Sequence, residues 1–126
     1  MKLRIHGDSI RLRLNRREVA QFAAGGKLEE SCRYGPGRED IFSYVLEASR
    51  TAPEPTVRVA GQTLSVILPE VTAEAWTGTE QVGVTADVAI ANGKSMLILI
   101  EKEFRRVHGP NSDPDLYPNP LESKLR

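Results

Sequence analysis

The chain has 126 residues, 40% of them hydrophobic and 27% charged, with a formal net charge of +0 at pH 7. That length holds one compact domain or two very small ones, and neutrality excludes a whole-molecule electrostatic attraction to nucleic acid or membrane. Cys32 is the only cysteine, which excludes an intrachain disulfide; with His6 and His108 as the only histidines, it also excludes a tetrahedral Cys/His zinc site within one chain.

The opening MKLRIHGD lacks the apolar region of a secretory signal, and the longest apolar run, Met96 to Ile100, is too short to cross a bilayer. A cytoplasmic protein with no membrane association is expected. Leu3 to His6 and Ile10 to Leu14 alternate apolar with polar residues, predicting two half-buried strands around a tight turn at Gly7-Asp8. Asn15 predicts a helix N-cap, and Glu18 completes a capping box. Val19, Phe22 and Ala23 form a short apolar stripe that ends at Gly25-Gly26. Leu28 to Tyr34 and Ile41 to Ala48 predict two more strands, separated by Gly35-Pro36-Gly37.

After the linker Ala52-Pro53-Glu54-Pro55, strands are predicted at Thr56 to Ala60 and Thr63 to Leu68, around Gly61. Pro69 opens a second helix, with Ala73 and Trp76 facing inward and Gly78 at its end. Val82 to Ile90 and Ser95 to Phe104 predict the last strands, with Asn92-Gly93 as a favoured hairpin turn.

Laid over each other without a gap, residues 3–49 and 57–103 repeat one pattern. Leu3-Arg4-Ile5 falls on Val57-Arg58-Val59, Gly7 on Gly61, Phe22 on Trp76, Leu28 on Val82 and Cys32 on Ala86. Arg4 and Glu47 recur as Arg58 and Glu101, which predicts Arg–Glu cross-strand pairs within a copy or exchanged between copies. A single unit of roughly 50 residues would be marginal, whereas two can share one core. The expected fold is therefore mostly β with two short helices: duplicated ββαββ units forming one pseudo-two-fold eight-stranded barrel. The barrel domain is expected over residues 1–107, with repeats at 1–50 and 56–104 and a linker at 51–55. The tail, 108–126, is rich in Pro, Asp, Asn and Ser and is expected to be extended or disordered.

Gly7-Asp8-Ser9-Ile10 with Leu14-Asn15 resembles the signature of the AbrB/MazE/SpoVT swapped-hairpin regulators, and so does Gly61-Gln62-Thr63-Leu64 with Leu68-Pro69-Glu70-Val71. The resemblance implies that hairpins are exchanged between two units and that DNA is contacted by basic residues on the first strands and their turn. Arg4, Arg11 and Arg13 fill such places in the first copy, while Ser65 and Ile67 stand where Arg11 and Arg13 would recur. A symmetric operator reader needs the same side chains on both halves, and this chain offers half of that surface. The whole chain also resembles a group of short bacterial proteins of no assigned function that end in a similar Pro-Asn-Pro tail.

Arg11 and Arg13 share a strand face, and Arg16 and Arg17 lie at a helix N-terminus, where free N–H groups favour anions. With Arg4 they form the candidate anion- or nucleic-acid-binding set; the alternative is a solvated outer strand face. Glu101 and Glu103 share a face with Lys102 opposite, an edge-strand charge pattern. In a barrel lined with Arg and Glu, the same carboxylates would resemble the CYTH enzymes, which act on a phosphorylated anion with a divalent metal. That family's Glu-x-Glu-x-Lys belongs on the first strand, where this chain reads Lys-Leu-Arg-Ile. Cys32 is expected to be small and partly buried, His6 a surface turn residue, and Phe22 and Trp76 core anchors.

No catalytic residue, metal-ligand set or cofactor motif is read. The expected function is a non-enzymatic AbrB-like binding or regulatory module, monomer or dimer, that binds DNA or another polyanion weakly. The alternatives are the CYTH-like enzyme and an antitoxin-like protein that masks a protein partner through its tail. Leu116 and Tyr117 are the tail's candidate anchors, either to the barrel or to a partner. A packed apolar interior with the arginines outside favours the module; Arg and Glu converging in one cavity favours the enzyme.

Overall fold

The computed structural model describes residues 1–104, 115–118 and 120. Most of the tail expected at 108–126 lies outside the described residues, as does the boundary placed at 107. The described residues fold into eight strands and two helices: β1 (Lys2–His6), β2 (Ser9–Leu14), α1 (Arg16–Gly25), β3 (Lys27–Arg33), β4 (Ile41–Ser49), β5 (Thr56–Ala60), β6 (Thr63–Pro69), α2 (Glu70–Gly78), β7 (Gly83–Ala89) and β8 (Ser95–Lys102). Among the described residues no helix is long and apolar enough to cross a membrane.

Local chemistry sets these boundaries. Gly7 (φ 55°) and Gly61 (φ 60°) turn the β1–β2 and β5–β6 hairpins in left-handed backbone that glycine adopts without strain. Asn92 (φ 53°) and Gly93 (φ 74°) do the same between β7 and β8. At the start of α1 the Asn15 side chain accepts the Glu18 N–H at 2.9 Å, and the Asn15 N–H donates to Glu18 Oε1 at 2.9 Å. This reciprocal box satisfies two N–H groups that would otherwise face no partner. Gly26 (φ 73°) closes the helix by donating to the Phe22 carbonyl at 2.7 Å. The second helix has no side-chain cap; Pro69 occupies its N-cap position, one residue before the first helical residue.

The strands form two four-stranded sheets, ordered β1-β2-β8-β7 and β3-β4-β6-β5. The expected closed eight-stranded barrel is thus corrected to two separate sheets, because no strand-to-strand ladder joins their edges among the described residues. Each sheet combines a hairpin from each half of the chain. The joints are parallel, β2 on β8 with Ile10 opposite Ile98, and β4 on β6 with Leu64 opposite Tyr44. Exchanging the halves therefore carries one sheet's order and central register onto the other's.

The third strands match in a different register from the ungapped overlay. Leu28 lies opposite Leu46, and Val84 lies opposite Ile100, so Val84 rather than Val82 is the counterpart of Leu28. By the same logic Cys32, opposite Phe42, corresponds to Val88, opposite Met96. The connection after α2 is longer than the one after α1, whereas the 34–40 loop is longer than the 90–94 loop. These two length changes cancel in sequence, which hid both.

Between the sheets lie Leu12, Leu14, Leu46, Val66, Leu68, Ile98 and Ile100, all buried. Phe22 and Trp76 come from the two helices and meet with ring centroids 6.2 Å apart, as expected of core anchors. Trp76 also donates its indole N–H to the Val82 carbonyl at 3.1 Å, satisfying its one polar atom. Cys32, expected to be partly buried, is exposed, since β3 is an edge strand and its far end extends beyond the core. Met1 is buried, and its amino group contacts the carboxylates of Glu18 and Glu30. Tyr44 donates its hydroxyl to the Met1 carbonyl at 2.8 Å, so this cluster ties β1 to α1, β3 and β4.

Because neither half builds a sheet alone, fragment 1–52 by itself should lack native far-UV and near-UV circular dichroism. Mixing it with fragment 53–126 should restore both signals. A stable folded monomer of either fragment alone would contradict the exchanged pairing. Asn15→Ala should lower unfolding stability by about 1 kcal/mol in a urea titration.

Candidate anion-binding face

Alternation places Lys2, Arg4 and His6 of β1 on the side of the sheet facing away from the core. Ser9, Arg11 and Arg13 of β2 join them there, because their alternates Ile10, Leu12 and Leu14 are buried. Antiparallel register then sets Lys2 opposite Arg13 and Arg4 opposite Arg11. Like charges directly opposite one another are destabilising. The neighbouring strand supplies the compensation. Parallel pairing puts Glu101 of β8 opposite Arg13, and its carboxylate takes the diagonal guanidinium of Arg11. That hydrogen bond, reinforced by the carboxylate's charge, holds Arg11 even more firmly protonated than a free arginine. Glu103, just past the end of β8, pairs with Lys2. Among the described residues Arg4 and Arg13 form no ion pair, and both are exposed. Lys2, Leu3, Arg4, Arg11 and Arg13 together line a depression of about 180 Å³.

The corresponding face of the other sheet has a different character. Arg58 lies opposite Ser65, and Glu47 opposite Ile67. Arg58 reaches Glu47 at 3.7 Å, an Arg–Glu pair formed between the two halves as the sequence predicts. The matching pair between Arg4 and Glu101 is pre-empted, because Arg11 is nearer on the adjacent strand and takes the carboxylate. The edge-strand reading of Glu101 and Glu103 is corrected as well. β8 lies inside its sheet, between β2 and β7, and both carboxylates serve as partners for the basic strands beside them.

Arg16 and Arg17 belong to a second group. Arg17 reaches the Asp115 carboxylate at 3.2 Å, and the Arg16 N–H donates to the Asp115 carbonyl at 2.7 Å. The Arg16 guanidinium stands 5.7 Å from the Tyr117 ring centroid. The helix N-terminus read as an anion site therefore already holds groups from the chain's own C-terminal segment. Tyr117, one of the two candidate anchors there, packs against the core. Its ring meets Phe104 edge-on at 5.7 Å and lies 5.7 Å from the Lys102 ammonium.

Lys102 was passed over as a residue opposite two glutamates. The β8 alternation Ile98, Ile100, Lys102 points inward, and Lys102 is only 7% exposed. Its ammonium donates to the Thr79 carbonyl at 2.8 Å. Burial pushes its pKa below the ordinary lysine range, opposed by the charge of Glu80. Lys2 was likewise missed, although its alternation with Arg4 was the signal. A larger cleft of about 420 Å³ lies at the ends of the helices, beside Gly25 and Ala73. Its charged lining, Arg50, Glu70 and Glu74, is net acidic, and Arg50 is paired with Glu70 at 3.2 Å.

Comparison with known proteins adds one relation. The model of a family described as "Family of unknown function (DUF7009)" matches residues 1–121. No curated protein and no solved structure matches the chain.

The buried cation sets a pH dependence. Between the lowered folded pKa of Lys102 and the ordinary lysine value, the unfolded chain holds a proton that the folded chain has lost. Stability therefore rises with pH across that window. Tyr44 and Tyr117 act in the opposite direction. Burial raises both, with Glu30 adding to the shift of Tyr44 and Arg16 opposing that of Tyr117. Above the ordinary tyrosine value the unfolded chain ionises first, and stability falls. Urea midpoints followed from about pH 8 to about pH 11 should show the rise flattened in Lys102→Met and the fall flattened in Tyr44→Phe.

Proposed function

The chain belongs to the DUF7009 family of unknown function, and we propose that it is a non-enzymatic, AbrB-like binding module made by tandem duplication of one ββαββ unit. Its ligand is a polyanion, duplex DNA in the first instance, held weakly on one side of the molecule. The observation that carries this reading is the contrast between the two outer faces. One presents Lys2, Arg4, Arg11 and Arg13, while the other has Thr56, Arg58, Ser65 and Ile67 at the same register positions. Hairpins contributed to each sheet by both halves support the swapped-hairpin likeness, with the exchange made inside one chain. The apolar filling between the sheets, with Arg11 and Arg13 outside it, supports a binding module over a barrel enzyme acting on a phosphorylated anion.

Self-pairing limits the charge on offer. Arg11 and Lys2 are engaged by Glu101 and Glu103, and Arg16 and Arg17 by the C-terminal segment. Arg4 and Arg13 remain, so the logarithm of the DNA binding constant should fall against the logarithm of salt with a slope of about −2. Fluorescence anisotropy with a labelled duplex of arbitrary sequence, from low to physiological salt, reads this directly. Arg4→Ala/Arg13→Ala should abolish binding. Glu101→Gln/Glu103→Gln should strengthen it and steepen the slope toward about −4, by releasing Arg11 and Lys2. No binding at low salt, or binding indifferent to the arginine substitutions, overturns the proposal.

A further inference from the structure

The first turn of α1 and the end of β8 make a corner that the chain's own residues fill. β2 ends at Leu14, where Asn15 turns the chain into the helix, while past the end of β8 at Lys102 the chain continues through Glu103 to Phe104. Glu103 donates its N–H to the Leu14 carbonyl at 2.8 Å and accepts the Tyr117 N–H at 2.7 Å on its own carbonyl. Phe104 and Tyr117 form a parallel bridge, in the sense in which β2 runs along β8. The C-terminal segment thus takes up β2's row from the point where β2 leaves it, as an added strand does at an open edge.

The side chains at this corner select what lies there. Three groups converge on the Tyr117 ring: the Arg16 guanidinium at 5.7 Å, the Lys102 ammonium at 5.7 Å and the Phe104 ring, tilted at 60° with its centroid at 5.7 Å. Lys102 is buried, and a buried ammonium bonded to the Thr79 carbonyl gains from an aromatic face where water is excluded. Two residues back along the segment, Asp115 supplies a carbonyl to the Arg16 N–H and a carboxylate to Arg17. Here the N–H groups that a helix leaves free at its start receive an acceptor, with a negative charge beside them.

We infer that this corner is a docking site for an Asp-x-Tyr segment, and that residues 115–117 of the same chain are its resident occupant. Specificity is divided between the cationic cradle that requires an aromatic ring and the helix start that requires an acid two residues before it. The backbone bridge from Glu103 fixes the spacing between them. The inference concerns peptide recognition and stands independently of the DNA-binding reading.

The test uses the full chain carrying Asp115→Ala/Tyr117→Ala, which empties the corner, and a fluorescein-labelled peptide with the sequence of residues 113–120. Saturable binding to this variant is expected. Binding to the unmodified chain should be at least roughly tenfold weaker, because the tethered segment competes at high effective concentration. A peptide with alanine in place of the tyrosine should fail to bind. Arg17→Glu, a change at an exposed side chain, should weaken binding of the natural peptide and restore it for a peptide with arginine in place of the aspartate. A folded double variant that ignores the peptide, or binds the alanine peptide equally well, overturns the inference. Amide hydrogen exchange in the unmodified chain gives a reading free of any variant: the Arg16 N–H should be protected, and fast exchange there overturns the dock. A concentration-dependent dimer lost in Tyr117→Ala would assign the occupant to a second copy and overturn occupancy by the same chain.

Discussion

The parallel pairing of β2 with β8, and of β4 with β6, is the constraint on which the other features depend. Parallel neighbours cannot be joined by a short turn, so β4 and β6 are connected by way of β5, and β2 and β8 by way of most of the chain. That requirement interlocks the halves and brings Glu101 and Glu103 beside the basic hairpin. It also sets Lys102, the last residue of β8, beside Leu14, the last of β2. The core follows from the same joints, since Leu12 and Leu14 meet Ile98 and Ile100 across one of them, and Val66 and Leu68 meet Leu46 across the other.

Electrostatics on the outer face is a balance between a local defect and its neighbour. The hairpin register alone would stack Arg4 on Arg11 and Arg13 on Lys2. Two carboxylates from the other end of the chain quench half of that repulsion, and partly exposed pairs of this kind are worth little individually. Their importance lies in deciding which cations remain available. Arg11 is held and Arg4 is left open, although Arg4 is the residue whose counterpart, Arg58, has its own glutamate. A substitution on β2 thus redistributes partners across three strands.

Local rules made most of the fold legible. Gly7, Gly61 and Asn92-Gly93 mark turns because few other residues accept their backbone geometry, and Asn15 with Glu18 marks a helix start because two N–H groups need acceptors. Alternation put Arg11 and Arg13 on one face correctly. What local rules could not convey was partnership across long separations. Glu101 read as an edge charge because nothing near it in sequence names Arg11. Lys102 read only as the residue opposite two glutamates, although counting inward from Ile98 would have placed it in the core. The paired length changes around β3 and β7 cancel in an ungapped comparison, so only cross-strand partners such as Leu46 and Ile100 reveal them. The bond from Arg16 to Asp115 spans nearly the whole chain, and in sequence the proline-rich segment carrying Asp115 has no periodicity to flag it.

The two sheets share one wiring plan but not one history along the chain. Every strand of the β3-β4-β6-β5 sheet lies within residues 27–69, so the sheet closes over short loops. The other sheet takes its strands from the two ends and must close a loop that contains the whole of the first. Long-range closure costs more chain entropy before any contact repays it. During synthesis from the N-terminus, the first hairpin therefore emerges without its mate, and the inner sheet is complete in sequence well before the outer one. Until β8 leaves the ribosome, Leu12 has Leu3 on one side but lacks Ile100 on the other, and the earliest part of the chain to be made is the last to be housed.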